Sequence, residues 1–176
     1  MKRAILITLV ISCLLLTACG GKSSSGNVQE IRQWASSAAA SSEFSNPSWA
    51  ASQAIGAPDT TECGDHITAW ASSSSDGYDW LEVRYATPVV PTQINIYESY
   101  EPNQVVQVEL IGVDGTYFVV YTGLVTIGSA CPAVFTIDVD INSEVVGILI
   151  TVDQSNSSLS WNEIDAVELV GNIPAN

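Results

Sequence analysis

Basic side chains are scarce in this sequence. Its 176 residues include 5 Lys and Arg against 19 Asp and Glu, which gives a formal charge of −14 at pH 7. Phosphate backbones and anionic headgroups are bound mainly through clustered Lys and Arg side chains. The composition therefore argues against nucleic acid as a partner and against direct binding to acidic lipid.

Histidine is nearly absent as well, because His66 is the only one. Nucleophilic hydrolysis typically needs a Ser or Cys activated by a base, and the Gly-x-Ser-x-Gly turn of many hydrolases does not occur here. Glycoside hydrolysis needs two carboxylates across a cleft, and the acidic residues show no motif that pairs them. The chain is therefore predicted not to be an enzyme.

The apolar run at the N-terminus, Ala4 to Leu16, is too short for a transmembrane helix of about 20 residues. It follows two basic residues and precedes small ones, which is typical of a secretory signal. Its ending, Leu-Thr-Ala-Cys, resembles the bacterial lipobox. The resemblance implies that residues 1–18 are a lipoprotein signal peptide and that Cys19 carries the lipid.

Lipidation predicts a protein held at a membrane surface, since two or more acyl chains anchor stably. Residues 19–27 are rich in Gly and Ser and are predicted to form a flexible tether with a reach of roughly 15 Å. Gly20, not Asp, follows the lipidated Cys19. By resemblance to lipoproteins of diderm bacteria, this argues against retention in the inner membrane, so we expect an extracytoplasmic location at the outer membrane or cell surface.

Two cysteines remain once Cys13 is assigned to the signal and Cys19 to the lipid: Cys63 and Cys131. Two leftover cysteines in an exported chain most simply form a disulfide with each other. The alternative is a metal site with two thiols, but further ligands are lacking because the chain has a single histidine. Residues 28–176 fit one domain.

Alternating apolar residues predict that this domain is all-β. Asp79 to Ile111 contains three apolar runs separated by proline-bearing turns, which indicates consecutive antiparallel strands. Asp114-Gly115 predicts a hairpin. About eight strands with regular turns and little helix indicate a β-sandwich. The other strands are predicted at 31–37, 117–121, 135–139, 145–152 and 164–170, and one helical turn at 49–54.

Several short motifs, in this order and spacing, resemble the discoidin family of coagulation-factor C-type domains and related carbohydrate-binding modules. The resemblance covers nearly the whole of residues 28–176 and implies a galactose-binding-like jelly-roll β-sandwich. The motifs that carry it are Asn46-Pro47, Ala54-Ile55-Gly56, Thr68-Ala69-Trp70, Trp80-Leu81-Glu82-Val83, Trp161-Asn162-Glu163-Ile164 and Val167-Glu168-Leu169.

The resemblance also implies a structural calcium site, because many family members bind the ion between the loop before Thr-x-Trp and a glutamate on the last strand. Calcium takes six to eight oxygen ligands. The loop departs from the family pattern through an insertion that carries Cys63, so a disulfide is the alternative means of holding it. The residues at the matching positions are Asp59, Asp65, Thr68 and Glu163.

Aromatic rings with polar neighbours are the usual means of binding a sugar, because a flat ring stacks on the apolar face of a pyranose. For each large aromatic residue the alternative role is packing. Tyr100 is the preferred contact because it precedes a turn. The candidate ligand residues are Tyr100, Glu101, Asn103, Trp49, His66, Tyr78 and Trp161.

These features together predict a membrane-anchored extracytoplasmic lipoprotein with a non-catalytic binding domain. The favoured ligand is carbohydrate, either an extracellular glycan or a cell-wall polymer. The alternative is a protein-interaction or assembly module on the cell surface. The binding assignment follows from the family resemblance, and a fold alone does not fix a function.

Overall fold

The structure is a computed structural model that describes residues 28–127, 130–155 and 159–174. The predicted signal peptide, Cys19 and the tether lie outside these residues. Within the described ranges, no helix is long and apolar enough to cross a membrane.

The described residues form eight strands and one short 3₁₀ helix, and every strand pairing is antiparallel. The all-β prediction is confirmed. The elements are β1 Gln29–Trp34, β2 Ser37–Ala40, the 3₁₀ helix Ala51–Ala54, β3 Tyr78–Tyr100, β4 Val105–Gly112, β5 Tyr117–Thr122, β6 Ala133–Asp138, β7 Val145–Asp153 and β8 Glu163–Ile173.

Strand β3 connects two halves of the sheet. Its first part, Tyr78 to Val89, pairs with β2 and β7, in a five-stranded half-sheet of order β2-β3-β7-β4-β5. Its second part, Val90 to Tyr100, pairs with β8 and β6, in a four-stranded half-sheet of order β1-β8-β3-β6. Both halves contribute to a single apolar core, which makes the domain a jelly-roll sandwich.

The continuity of β3 corrects the prediction of two strands and a turn within this stretch. Pro88 lies where the pairing register shifts between Arg84 and Val89, and Pro91 precedes a second shift. Proline has no N–H to donate to a ladder, so it is tolerated where regular pairing is interrupted. These prolines therefore mark the change of half-sheet and do not end the strand.

The predicted first strand, Ile31 to Ser37, is also divided. The chain pairs with β8 up to Trp34 and with β3 from Ser37 onward, so the residues between them carry it from one half-sheet to the other. The expected irregular loop after this strand is β2. The apolar residues of this stretch show no clean periodicity because neighbouring residues pair with different strands.

The core is filled by the inward-facing residues of both half-sheets. Leu81, Val83 and Ile150 come from the five-stranded half, and Ile96 and Leu169 come from the four-stranded half; all are fully buried. Burial of one such side chain contributes about 1.5–3 kcal/mol. The alternation of apolar and polar residues along the strands predicted which side chains face the core.

A substitution at Gly171 tests the close packing at the point where β3 passes from one half-sheet to the other. It pairs with Pro91, and a Cβ at this position would lie 2.6 Å from the Val90 carbonyl oxygen and 2.7 Å from Val89 Cγ2. Gly171→Ala is expected to lower the free energy of unfolding by about 1–3 kcal/mol, measured by urea denaturation. Asn172→Ala, at the next residue, is the control. A Gly171→Ala protein as stable as the wild type would contradict this account of the crossing.

Candidate functional site

Both ends of β3 lie at the same end of the sandwich. Tyr78 pairs with Asp153 at the end of β7, and Tyr100 pairs with Glu163 at the start of β8. Gln154 accepts a hydrogen bond from the Asn162 backbone at 3.2 Å, so the two ends of the β7–β8 connection are in contact. We call this end the loop pole; its segments are 41–50, 62–72, 100–104, 153–155 and 159–163.

Three aromatic rings meet at the loop pole. Phe44 lies between Trp49 and Trp161 in two edge-to-face contacts, with centroid distances of 5.3 and 5.4 Å. The indole N–H of Trp161 donates to the Ser72 carbonyl oxygen at 3.0 Å, and that of Trp49 donates to Asp65 Oδ1 at 2.8 Å. Phe44 remains 49% exposed. The rings are therefore held in fixed orientations with one of them open to a ligand.

Two carboxyl groups lie beside this aromatic cluster. Glu163 is buried, and its Oε2 accepts the backbone N–H of His66 at 3.0 Å. Burial raises the pKa of Glu163 to about 8; the hydrogen bond from His66 opposes the rise, and neighbouring Asp65 adds to it. Glu163 is therefore largely protonated at pH 7. Asp65 and Glu163 line a small cleft together with the three rings.

The structure does not bring the four predicted calcium ligands together. They fall into two pairs: the Thr60 hydroxyl lies 2.6 Å from the Thr68 hydroxyl and 3.5 Å from Asp59 Oδ1, whereas Asp65 adjoins Glu163. Among the described residues, no group of three His, Cys, Asp or Glu side chains is placed to hold a metal ion. The arrangement does not fit a calcium ion as the sequence predicted it, and calcium binding stays a prediction.

A disulfide joins Cys63 to Cys131, as the cysteine count predicted. It connects the loop before Trp70 to the start of β6. The Gly64 N–H donates to the Ser99 carbonyl oxygen at 3.1 Å, which fixes the same loop to the end of β3. The loop that carries Asp65 and His66 is therefore attached covalently to the sandwich.

Buried amide side chains hold the turn after Tyr100 through hydrogen bonds. Glu101 and Asn103 have positive φ angles of 38° and 73°, which non-glycine residues adopt at a cost. Asn162 Nδ2 donates to the Glu101 carbonyl oxygen at 3.2 Å, and Gln104 Nε2 donates to the same oxygen at 3.1 Å. Both amide side chains are fully buried. They position the turn and are not themselves available to a ligand.

The other candidate ligand residues take separate places. Tyr78 is 69% exposed at the start of β3, where Asp153 raises the pKa of its hydroxyl. His66 is half-buried, and its Nε2 atom is buried with no protein hydrogen-bond partner. Phe44 was missed by the sequence reasoning. Its signal was weak, since it is a lone aromatic residue in a Ser-rich stretch.

Glu98 supports the same turn and gives a pH-dependent test of it. Its Oε1 accepts hydrogen bonds from Asn162 Nδ2 at 2.7 Å and from the Asn103 backbone at 3.2 Å, whereas its Oε2 is buried without a protein partner. Burial raises the pKa of Glu98 to about 7, although the bonds from Asn162 and Asn103 lower it. The folded protein therefore keeps a proton that the unfolded chain loses above about pH 4.5.

Since the folded state binds more protons between about pH 4.5 and 7, the contribution of Glu98 to stability falls as pH rises through that window. Glu98→Gln retains the Oε1 acceptor and removes the charge. We expect it to raise the free energy of unfolding by about 1–3 kcal/mol at pH 8 and to change it little at pH 5, in urea denaturation. Glu101→Gln makes the same change in the same turn and is the control. A loss of stability at pH 8 would contradict the expectation.

Comparison with solved structures shows the same fold. A chitosan-binding module of a chitosanase/glucanase from Paenibacillus sp. IK-5 superposes with a TM-score of 0.60 at 15% identity, over 77% of this chain and 94% of that one. The family 32 carbohydrate-binding module of NanJ from C. perfringens, solved with galactose, gives 0.57 at 20% identity, over 80% and 99%. At such identities the likeness establishes the fold alone.

A third module, from AlyQ and solved with 4,5-unsaturated mannuronic acid, gives a TM-score of 0.56 at 16% identity, over 79% of this chain and 97% of that one. The predicted discoidin-type, galactose-binding-like fold is thereby confirmed. No curated protein sequence matches the chain. A family profile matches residues 23–175. On that match, the chain belongs to the family described as Pappalysin-1, SD scarf domain, C-terminal.

Proposed function

We propose that the protein is a non-catalytic carbohydrate-binding module that binds its ligand at the loop pole. The observation that carries the proposal is the cluster of Phe44, Trp49 and Trp161, in which two fixed indole rings flank a half-exposed Phe44. A ring of this kind stacks on the C–H face of a pyranose, and the adjacent carboxyl groups of Asp65 and Glu163 hydrogen-bond to its hydroxyl groups.

The pre-formed state of the pole supports the same proposal. The disulfide, the buried amides below Tyr100 and the indole hydrogen bonds all fix the loops before any ligand arrives. A site that is already ordered loses little conformational entropy on binding. Structural relatives whose names include chitosan, galactose or unsaturated mannuronic acid present the same fold, which favours a sugar as the ligand class.

The proposal includes that the module does not cleave its ligand. Hydrolysis of a glycoside requires two carboxylates on opposite sides of the bond, at separations of about 5–9.5 Å. Asp65 and Glu163 instead adjoin in the same small cleft, where burial and the neighbouring Asp65 raise the pKa of Glu163 to about 8. They contribute hydrogen bonds to a ligand and are not placed to cleave it.

A glycan-array screen of the purified protein tests the function, run with calcium and again with a chelator. Phe44→Ala is expected to weaken binding of any retained glycan by about three- to ten-fold, because the exposed ring contributes stacking worth about 0.5–1.5 kcal/mol. Tyr100→Ala should weaken binding if the turn also contacts the sugar. Loss of glycan binding in the presence of the chelator would indicate that the domain also binds calcium.

The matched control is Tyr117→Ala. Tyr117 is as exposed as Phe44, at 48%, but lies on the edge strand β5 near the opposite end of the sandwich. Binding unchanged in Phe44→Ala, or weakened equally in both variants, contradicts a site at the pole. A silent array would favour the alternative function as a protein-interaction module, for which β5 with its exposed Tyr117 and Val119 is the specific observation.

We further propose that Cys19 anchors the domain to a membrane outside the cytoplasm. The support is the lipobox resemblance at residues 16–19 and the short tether that follows. Cys19→Ala is expected to abolish incorporation of a labelled fatty acid into the protein in the producing bacterium. Cys13→Ala changes another cysteine in the same leader and should leave labelling intact. Labelling that persists in Cys19→Ala would contradict the anchor.

A further inference from the structure

A separate pocket lies on the side of the domain, on the outer surface of the four-stranded half-sheet. Tyr97 and Val134 are directly opposite each other on β3 and β6, and they point away from the core into which the next residue, Ile96, is buried. The loop Pro58 to Thr61 forms the facing wall. We call this the side pocket; it has a volume of about 260 Å³, and Asp165 also lines it.

The facing wall is fixed in place. The two carboxylate oxygens of Asp165 accept the backbone N–H groups of Asp59 at 3.4 Å and Thr60 at 3.2 Å. Further along the same loop, the disulfide from Cys63 attaches it to the strand β6 that carries Val134. The side pocket is therefore pre-formed, and a ligand would not have to order the loop.

The size and the lining define the kind of ligand. Pockets for drug-sized ligands are about 300–1,000 Å³, so this slightly smaller pocket suits a single ring. The Tyr97 ring is held by an edge-to-face contact with Trp34, at a centroid distance of 5.4 Å, and provides an apolar wall together with Val134. The hydroxyl groups of Thr60 and Thr61 provide polar partners. An apolar surface near hydroxyl groups matches a C–H face and the hydroxyl-bearing edge of a pyranose.

The charged groups around the side pocket narrow the class of ligand further. None of the lining residues is Lys, Arg or His, whereas the buried residues Glu98 and Asp165 line the pocket and exposed Asp59 and Glu62 flank its loop wall. A carboxylated sugar would meet like charges, and the cation beside Tyr97, Arg32, is already paired with Glu168. An ammonium group would meet carboxylates, an attraction of about 1 kcal/mol per pair at 4 Å in water, which salt weakens.

We propose that the side pocket binds a single hexopyranose ring that carries an amine and no carboxylate. This ligand class follows from the pocket alone and does not depend on a sugar site at the loop pole. A chain that binds sugar at both places would hold a polymer at two points on one rigid domain, which raises the effective affinity without further contacts.

The test is a titration of the isotope-labelled protein, followed by two-dimensional NMR, with D-glucosamine, D-glucose and D-glucuronate as probes. Glucosamine is expected to shift the backbone amide signals of Thr60, Thr61 and Val134. Its affinity should exceed that of glucose about three- to ten-fold in 10 mM salt, and this ratio should shrink in 0.5 M salt. Glucuronate should not shift these signals.

Val134→Lys is the decisive variant. Val134 is 51% exposed, so the change does not disturb the core, but it places an ammonium group at the pocket and should abolish the glucosamine shifts. Val119→Lys makes the same substitution at a 56% exposed valine on β5, outside the pocket, and should retain them. Phe44→Ala should also retain them, because it alters the pole only.

The outcomes separate the two sites. Shifts at Thr60, Thr61 and Val134 that survive Val134→Lys, or no shifts at these residues with any probe, overturn the side pocket as a sugar site. Equal affinity for glucuronate overturns the assignment of an amine. Glucosamine shifts at the side pocket together with a silent glycan response at the pole would refute the function proposed for the pole and leave this inference standing.

Discussion

The rest of the structure depends on the passage of β3 from one half-sheet to the other. Backbone N–H and C=O groups in a buried strand must be paired, and β3 meets this requirement by exchanging partners, from β2 and β7 to β8 and β6. Because the strand turns back toward its own start, Tyr78 and Tyr100 reach the same end of the sandwich. The loop pole exists because of this crossing, and the side pocket uses the last residues of the same strand.

The loop pole rests on polar groups instead of a continued apolar core. Glu98, Gln104 and Asn162 are almost fully buried, and each has one side-chain oxygen without a protein partner. Unpaired buried oxygens cost free energy. The domain tolerates this cost because the same side chains hold the positive-φ turn at Glu101 and Asn103. Stability is lower at the pole, and in return the turn has a fixed shape.

Local patterns in the sequence were enough to predict the all-β class, the buried faces of several strands and the disulfide. Leu81 and Val83 alternate with polar residues because each strand has one buried face, and this alternation needs no knowledge of the neighbours. Cys63 and Cys131 were the only cysteines left to pair. The fold family followed from short motifs whose order reflects the same sandwich.

Features that depend on distant partners were not visible in the sequence. Pro88 and Pro91 indicate turns by local rules, and only the pairing of β3 shows that they lie inside a strand. Phe44 becomes part of a site because Trp161, far along the chain, packs against it. The calcium set was drawn from family positions, and the Thr60–Thr68 contact is specific to this loop.

The loop between Ile55 and Ile67 connects the two proposed sites physically. One part of it contributes Asp65 to the loop pole, and another contributes Thr60 and Thr61 to the side pocket, while the disulfide at Cys63 lies between them. The disulfide attaches the loop to the sandwich between the two sites, so the segments on both sides of it are fixed to one rigid body. The loop pole and the side pocket therefore keep a constant distance from each other. Such a spacing suits a domain that binds an extended ligand at two places without changing shape.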